Sequence, residues 1–434
     1  MGNKINANPT KEFFISMLTR DIDVKAAILE LIDNSIDGAK RMRPNSDFNG
    51  LSIDIKFDEN KFVIEDNCGG MGVDIAQNYA FRFGRSKSRP QEAGNFTGIF
   101  GIGMKRALFR LGKKFTIEST TVNDFFSMEV DVDEWIKDDS QDWSFNFSNV
   151  ATKVKNPIEK IGTKITVSNL HEGIKQDFSL KTFYNTLLNY LARYKTLIAS
   201  SNLKVSVNNV ELKTYEESII QSEIVTPYVH ITEVDGVKIK ILAGVAPKGT
   251  PANAGWYIYC NGRTVVYADK TELTGWGVEV KSYHPSLAYF RGYVFFESNN
   301  LDKLPWNTSK TSVDASAKVF LCAKQYMNES AKTIISMYNS CISNSEDAED
   351  VDANILNEAD AIKLNYVNLE KLLSKNQEFD IKLDIKPSIE YTNISFKIEK
   401  EKADKVNKII GAKNKKEIGE KLFQYYWERE VCDD

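Results

Sequence analysis

Histidine is nearly missing from this chain: three occur in 434 residues, His171, His230 and His284, far apart in sequence. Histidine-based catalysis and histidine-rich metal sites therefore start from a poor footing. Cysteine is little better represented. Its five positions, Cys68, Cys260, Cys322, Cys341 and Cys432, are odd in number and lack CxxC spacing, which argues against a disulfide frame or zinc site and for reduced thiols. No apolar run approaches the ~20 residues that a membrane helix needs, so a span is excluded. The stretch MGNKINANPTKEFF has neither the basic start nor the apolar core of a signal peptide, and a cytoplasmic protein is expected. An excess of either charge is missing too. The 56 basic residues face 60 acidic ones for a net −4, which argues against a dedicated nucleic-acid binder and leaves room for a local basic patch.

What is present is a globular composition, 42% hydrophobic and 27% charged, with a length suited to two domains and an appendage. Residues 23–40 place Val24, Ala27, Ile28, Leu31, Ile32 and Ile36 at helical spacing. Leu51, Ile53, Ile55 and Phe57 then alternate as a strand, and a second strand ends at Glu65-Asp66-Asn67. A polar loop at 82–97 leads into GIFGIGMKRALFRLG, a glycine-rich turn opening a helix, and several strands follow. The pattern predicts an α+β first domain over 1–172. A helix near 178–199 is expected to open a second domain, 173–340, with hairpin turns at Asn208-Asn209 and Asn261-Gly262 and a closing helix near 314–338. Residues 341–385 read as an acidic linker and a helix. The tail, 386–434, reads as a strand (Ile394, Phe396, Ile398) and two helices, 401–410 and 414–427, broken at Gly411.

Four segments carry chemistry. At 100° per residue Glu30, Asn34 and Asp37 share an arc of about 60° opposite the apolar stripe. A carboxylate one turn from an amide suits phosphate chemistry, the amide helping to hold Mg2+ and the carboxylate deprotonating water. A plain amphipathic helix with its polar side in solvent would look the same. In IEDNCGGMG, residues 64–72, Asp66 can accept from an exocyclic amine while Gly69, Gly70 and Gly72 let a flat ring approach the backbone, or Asp66 simply caps a tight turn. Third, Gly98, Gly101 and Gly103 precede Lys105 at a helix start, a pattern that suits phosphate but fits neither the Walker A nor the dinucleotide-binding spacing. Gly162-Thr163 opens a later strand, with Thr163 able to bond near a base.

In this order the segments resemble the GHKL ATPases, the superfamily of gyrase, the large heat-shock chaperone, sensor histidine kinases and MutL. ELIDNSIDGA is similar to its N-box, DNCGGMG to its adenine box, GIFGIGMK to its lid and phosphate box, and GTKITV to its threonine box, over about residues 12–172. The resemblance implies a Bergerat α/β sandwich that binds ATP and Mg2+, with Glu30 as general base and Asn34 as the magnesium ligand. Nucleotide contacts would fall to Asp37, Asp66, Gly70, Met71, Gly98, Gly101, Gly103, Lys105 and Thr163. Cys68 departs from the pattern, standing where many members carry a glycine. WYIYCNGRTVV and LPWNTSKTSVD look like the turn and lysine loop of a ribosomal-protein-like transducer domain, which implies that Lys310, with Lys303 as reserve, reaches the γ-phosphate. The whole is closest to the MORC-like branch. That implies an ATPase dimerising on ATP as a clamp, acting on DNA or with a nuclease or other effector, as in prokaryotic restriction or anti-phage systems. A nucleotide-gated binding module with incidental hydrolysis is the alternative. The tail resembles a ribbon-helix-helix arm and is locally basic, ten lysines against six acids from Lys386 to Gln424, for +4.

Overall fold

A computed structural model describes residues 9–44, 47–83, 102–138, 142–195, 202–213, 217–307, 310–343, 355–357, 360–364, 366–382, 394–395 and 397–430. The chain divides into a compact unit, Met1–Ile385, and a separate small one, Lys386–Asp434. The first unit is a mixed α/β structure built on one large sheet and a smaller second sheet.

The first half opens with helices α1 (Lys11–Arg20) and α2 (Val24–Met42). Asp23 caps α2, its Oδ1 accepting the Ala26 N–H at 2.8 Å, and Lys40 and Arg41 face the negative end of the helix dipole. Eight strands follow: β1 (Ser52–Phe57), β2 (Lys61–Asp66), β3 (Gly112–Thr120), β4 (Asp124–Asp131), β5 (Phe147–Thr152), β6 (Gly162–Leu170), β7 (Lys204–Val207) and β8 (Val210–Glu211). They form one sheet in the order β5-β4-β3-β6-β2-β1-β7-β8. Between and after them come the short α3 (Val73–Ile75) running into a π-helical turn (Ala76–Ala80), then α4 (Gly103–Leu111), α5 (Val132–Lys137), α6 (Glu172–Ser179) and α7 (Lys181–Lys195). The apolar stripe of α2 shares a core with Ile53, Ile55, Phe62, Ile64, Ile117 and Ile165 of the sheet.

The expected boundary at 172 is corrected by the sheet. Strand β7 pairs parallel with β1, Ser52 to Lys204 through Ile55 to Val207. Leu187 and Leu191 of α7, with Leu203, Val205, Val207 and Leu212, lie in the first core. The helix expected to open the second domain therefore closes the first, because its apolar face covers the sheet that β7 extends.

After the short strands β9 (Ser218–Ile220) and β10 (Val225–Thr226), the second half is a five-stranded sheet of β11 (Tyr228–Val234), β12 (Val237–Val245), β13 (Gly255–Cys260), β14 (Arg263–Asp269) and β15 (Phe290–Glu297), ordered β11-β12-β15-β13-β14. The Asn261-Gly262 turn joins β13 to β14 with φ of 48° and 80°, the left-handed pair a type I′ turn requires. Helix α8 (Lys318–Ser343) covers one face, Phe320, Ala323, Met327 and Ile334 packing onto Ile239, Ile241 and Val294. The other face carries a layer of its own from within 341–385, where an acidic linker and a helix are expected; the acidic stretch 344–354 lies outside the described residues, and a helix spans Tyr366–Leu372. Ala361–Lys363 pairs with Ser218–Ile220, and Asp380–Ile381 with Val225–Thr226. Leu364, Leu369 and Leu372 pack with Tyr257, Tyr259 and Tyr293. Among the described residues no helix is long and apolar enough to cross a membrane.

In the tail, helices Lys400–Ile410 and Lys415–Glu430 are joined through Gly411, left-handed at φ 63°, and neither has a buried residue. Ile394 and Ile398, expected in a strand, are exposed and outside any described sheet; Phe396 lies outside the described residues.

Candidate active site

A cavity of ≈ 720 Å³ opens between α2, the segment after β2, the start of α4 and the sheet, a volume suited to a nucleotide-sized ligand. Of the expected residues, Glu30, Asn34, Asp37, Asp66, Gly70, Met71, Gly103, Thr163 and Lys310 all line it. Gly98 and Gly101 lie outside the described residues, as does most of the loop expected at 82–97.

At one end strand register sets the chemistry. Asp66 on β2 pairs with Thr163 on β6, which pairs with Ser119 on β3, so three polar side chains stand in one row. Asp66 Oδ2 accepts from the Ser35 hydroxyl at 2.6 Å and Oδ1 from the Cys68 N–H at 2.8 Å. Burial pushes its carboxyl above the usual range against the opposing pull of these donors and of Thr163. Ser119 Oγ lies 2.9 Å from Thr163 Oγ1 and accepts from the Met71 N–H at 2.7 Å, tying the glycine segment to the sheet. Gly70 is left-handed at φ 69°, and a side chain there would collide with the Thr120 carbonyl. The left-handed residues of this turn are Gly69 and Gly70, so Cys68 carries no such strain; its thiol is buried and burial raises its pKa.

At the other end the polar face of α2 is enclosed rather than solvated. Glu30, Asp33, Ser35 and Asp37 are buried, while Asn34 is exposed to the cavity. The solvent-facing alternative fails because α4 and the β13–β14 hairpin cover that face. Glu30 Oε1 accepts from Arg263 Nη1 at 3.2 Å and Oε2 from Lys310 Nζ at 3.1 Å; Arg263 Nη1 also bonds Asp33 Oδ2. Burial alone would raise the Glu30 carboxyl. The Lys310 and Arg263 cations, with Arg106 farther off, outweigh it and hold the group below the usual carboxylate range. Burial in turn draws Lys310 down against the attraction of Glu30. Of the two candidate lysines only Lys310 lies here; Lys303 is exposed and donates to the Asp235 carbonyl at 2.7 Å.

Asn34 Nδ2 donates to the Glu30 carbonyl at 2.9 Å, which leaves Oδ1 as the atom for a hard cation. Among the described residues no cluster of three His, Cys, Asp or Glu side chains could hold a metal. Mg2+ needs none, since it keeps waters and takes one or two protein oxygens beside substrate phosphates.

Lys105 requires correction. Expected in the phosphate cradle, its ammonium is buried and donates to the carbonyls of Ala80 at 2.7 Å and Arg82 at 2.6 Å, and the residue does not line the cavity. Its neighbour Arg106 does, with a buried Nε that has no partner among the described residues. One residue of helical phase separates the two.

Sequence reasoning missed Ser35, Asp33, Ser119, Arg106 and Arg263. The first two flank the recognised face of α2. Arg263 follows the Asn261-Gly262 turn signal, but nothing local says that this hairpin meets α2.

Compared with known families, residues 22–163 match the one described as histidine kinase-, DNA gyrase B-, and HSP90-like ATPase. The match spans α2 and α4 and ends at Thr163, so Arg263 and Lys310 lie beyond it. No curated protein matches the chain.

Proposed function

We propose, from the premise that residues 22–163 form an ATPase domain of this GHKL family, that the chain binds ATP with Mg2+ in the cavity and hydrolyses it to ADP and phosphate. One observation carries the reading: a single cavity is lined at one end by Asp66, Thr163, Gly70 and Met71 and at the other by Glu30, Asn34, Gly103, Arg106 and Lys310. The first set suits an adenine, whose exocyclic amine donates to Asp66. The second suits a triphosphate, with Arg106 and Lys310 supplying positive charge and the backbone at Gly103 opening a helix N-terminus toward it.

Glu30 is the general base. It takes a proton from water whose oxygen adds to the terminal phosphorus as the bond to the ADP oxygen breaks. Asn34 and the neighbouring carboxylate Asp37 are the groups suited to hold Mg2+ directly or through its waters. When bound, the ion neutralises phosphate charge.

The finer reading is a MORC-like, ATP-gated dimerising clamp working on DNA or a DNA-associated partner. Lys310 supports it, because it brings the second half of the chain to the hydrolytic carboxylate as a transducer lysine would. A second reading, nucleotide-gated binding with little turnover, is favoured by the two cations that occupy Glu30. The deciding experiment measures ATP affinity and phosphate release for the native chain, Glu30→Gln and Asp66→Asn. Turnover that depends on Glu30 supports the enzyme; tight binding with no Glu30-dependent turnover supports the gate; no nucleotide binding refutes both.

A further inference from the structure

We propose that Arg263, held by Asp33, is a positioning residue for the base: it clamps Oε1 of Glu30 so that Oε2 is the oxygen presented to the attacking water. The inference rests on the ATPase reading above and adds a residue from outside the segment matched to the family.

The geometry distinguishes the two carboxylate oxygens. Oε2 faces the cavity side: a side chain at Gly103, the first residue of α4, would collide with it, and Lys310 Nζ approaches the same atom. Oε1 faces Arg263. When Lys310 turns to a bound phosphate, Oε2 is released, whereas Arg263 has nowhere comparable to go. Its Nη1 is shared with Asp33, its side chain is buried, and it does not line the cavity.

The backbone behind Arg263 is fixed from two sides. Asn261 Nδ2 donates to the Ser298 carbonyl at 3.0 Å, the Ser298 N–H returns a bond to Asn261 Oδ1 at 3.0 Å, and the Asn261 N–H donates to Phe296. Lys40 at the end of α2 reaches the Asn261 carbonyl at 3.5 Å. The turn is thus tied to β15 on one side and to α2 on the other.

Asp33 has a separate task. Glu30, Asp33, Arg263 and Lys310 are all buried and joined by ion pairs, with Arg106 acting on Glu30 and Asp37 on Lys310 from nearby. Remove Asp33 and the whole Arg263 charge falls on Glu30, which weakens it as a base. A purely structural arginine at this depth normally uses its planar fork on several acceptors. Here one nitrogen serves both carboxylates, while Nε and Nη2 are buried without a partner among the described residues. Such unmet donors are costly, and their retention fits a placement set by Glu30 rather than by stability.

The test uses the full chain and separates nucleotide affinity from turnover. Arg263→Gln should lower kcat about 30-fold or more while ATP affinity stays within about threefold, the split expected when a group acts on the chemical step. Arg263→Lys should recover most of that loss, because only one nitrogen of the fork is in use. Asp33→Asn should lower kcat about tenfold at unchanged affinity. In a Glu30→Gln background neither change should reduce the residual rate further, because both act through Glu30. Losses that persist in that background, or Arg263→Gln turnover equal to the native rate, overturn the proposal while leaving the ATPase reading intact. If Arg263→Gln fails to fold, native turnover in Asp33→Asn overturns it in the same way. A native chain that hydrolyses no ATP refutes the reading beneath it as well.

Discussion

Asp66 and Glu30 are both buried carboxylates, yet their surroundings drive them apart. Asp66 meets neutral donors and is pushed up by burial; Glu30 meets cations and is held down. The first suits an acceptor that reads a neutral base, the second a group that stays ionised beside phosphate. Asp66→Asn should weaken ATP binding about 10- to 100-fold, the scale of a hydrogen bond to a charged group, with little effect on GTP; equal losses for both nucleotides would remove the base contact. Glu30→Gln should bind ATP within about threefold of native affinity and lose at least ~100-fold in single-turnover rate. Helical spacing on α2 made Glu30, Asn34 and Asp37 legible in the sequence. Ser119 and Arg263 were not, since each reaches its place through strand pairing or tertiary packing that no local pattern encodes.

Helix α4 shows how one element serves two needs at adjacent positions. Gly103 admits Glu30, so Gly103→Ala should reduce turnover about as strongly as altering the base, with stability measured alongside to separate strain from chemistry. Lys105 anchors the same helix to the π-helical turn and the residues after it through the Ala80 and Arg82 carbonyls. Burial draws its ammonium from 10.5 down to about 7, although the two carbonyls favour the charged form. Between about pH 7 and pH 10 the unfolded chain therefore binds a proton that the folded chain lacks, and this group makes stability rise with pH by up to ~1.4 kcal/mol per unit. Below that window both states are protonated and the contribution stays at its minimum. Lys105→Met should flatten the rise, read as urea midpoints of the two proteins at about pH 6.5 and pH 9. Element types were largely visible in the sequence, down to the left-handed Asn208-Asn209 and Asn261-Gly262 turns. Allegiance was not: the Leu187/Leu191 face of α7 announces a buried helix without saying which sheet buries it.

For the whole molecule, the division at Ile385 separates a unit with large cores from a helix pair with none of its helical residues buried. Removing 386–434 should leave the melting temperature within a few degrees and ATP turnover per monomer unchanged, while any DNA or partner affinity carried by the lysines and the exposed Phe423, Tyr426 and Trp427 is lost. Solution mass with and without a non-hydrolysable ATP analogue tests the clamp: a doubling on nucleotide supports it, and an unchanged monomer refutes it.

The pairing of β1 with β7 has a consequence for synthesis. Residues 52–55 wait for residues 204–207 before the large sheet gains its last neighbours, a separation of about 150 positions along the chain. Contacts this distant are slow to form, because a long loop must close before they are rewarded. A chain cut at 172 holds β6, which joins β3 to β2, but leaves the β1 edge without β7, and it should aggregate or be degraded where one ending after Leu212 holds together. The segment that matches the family is shorter than the sheet to which it belongs.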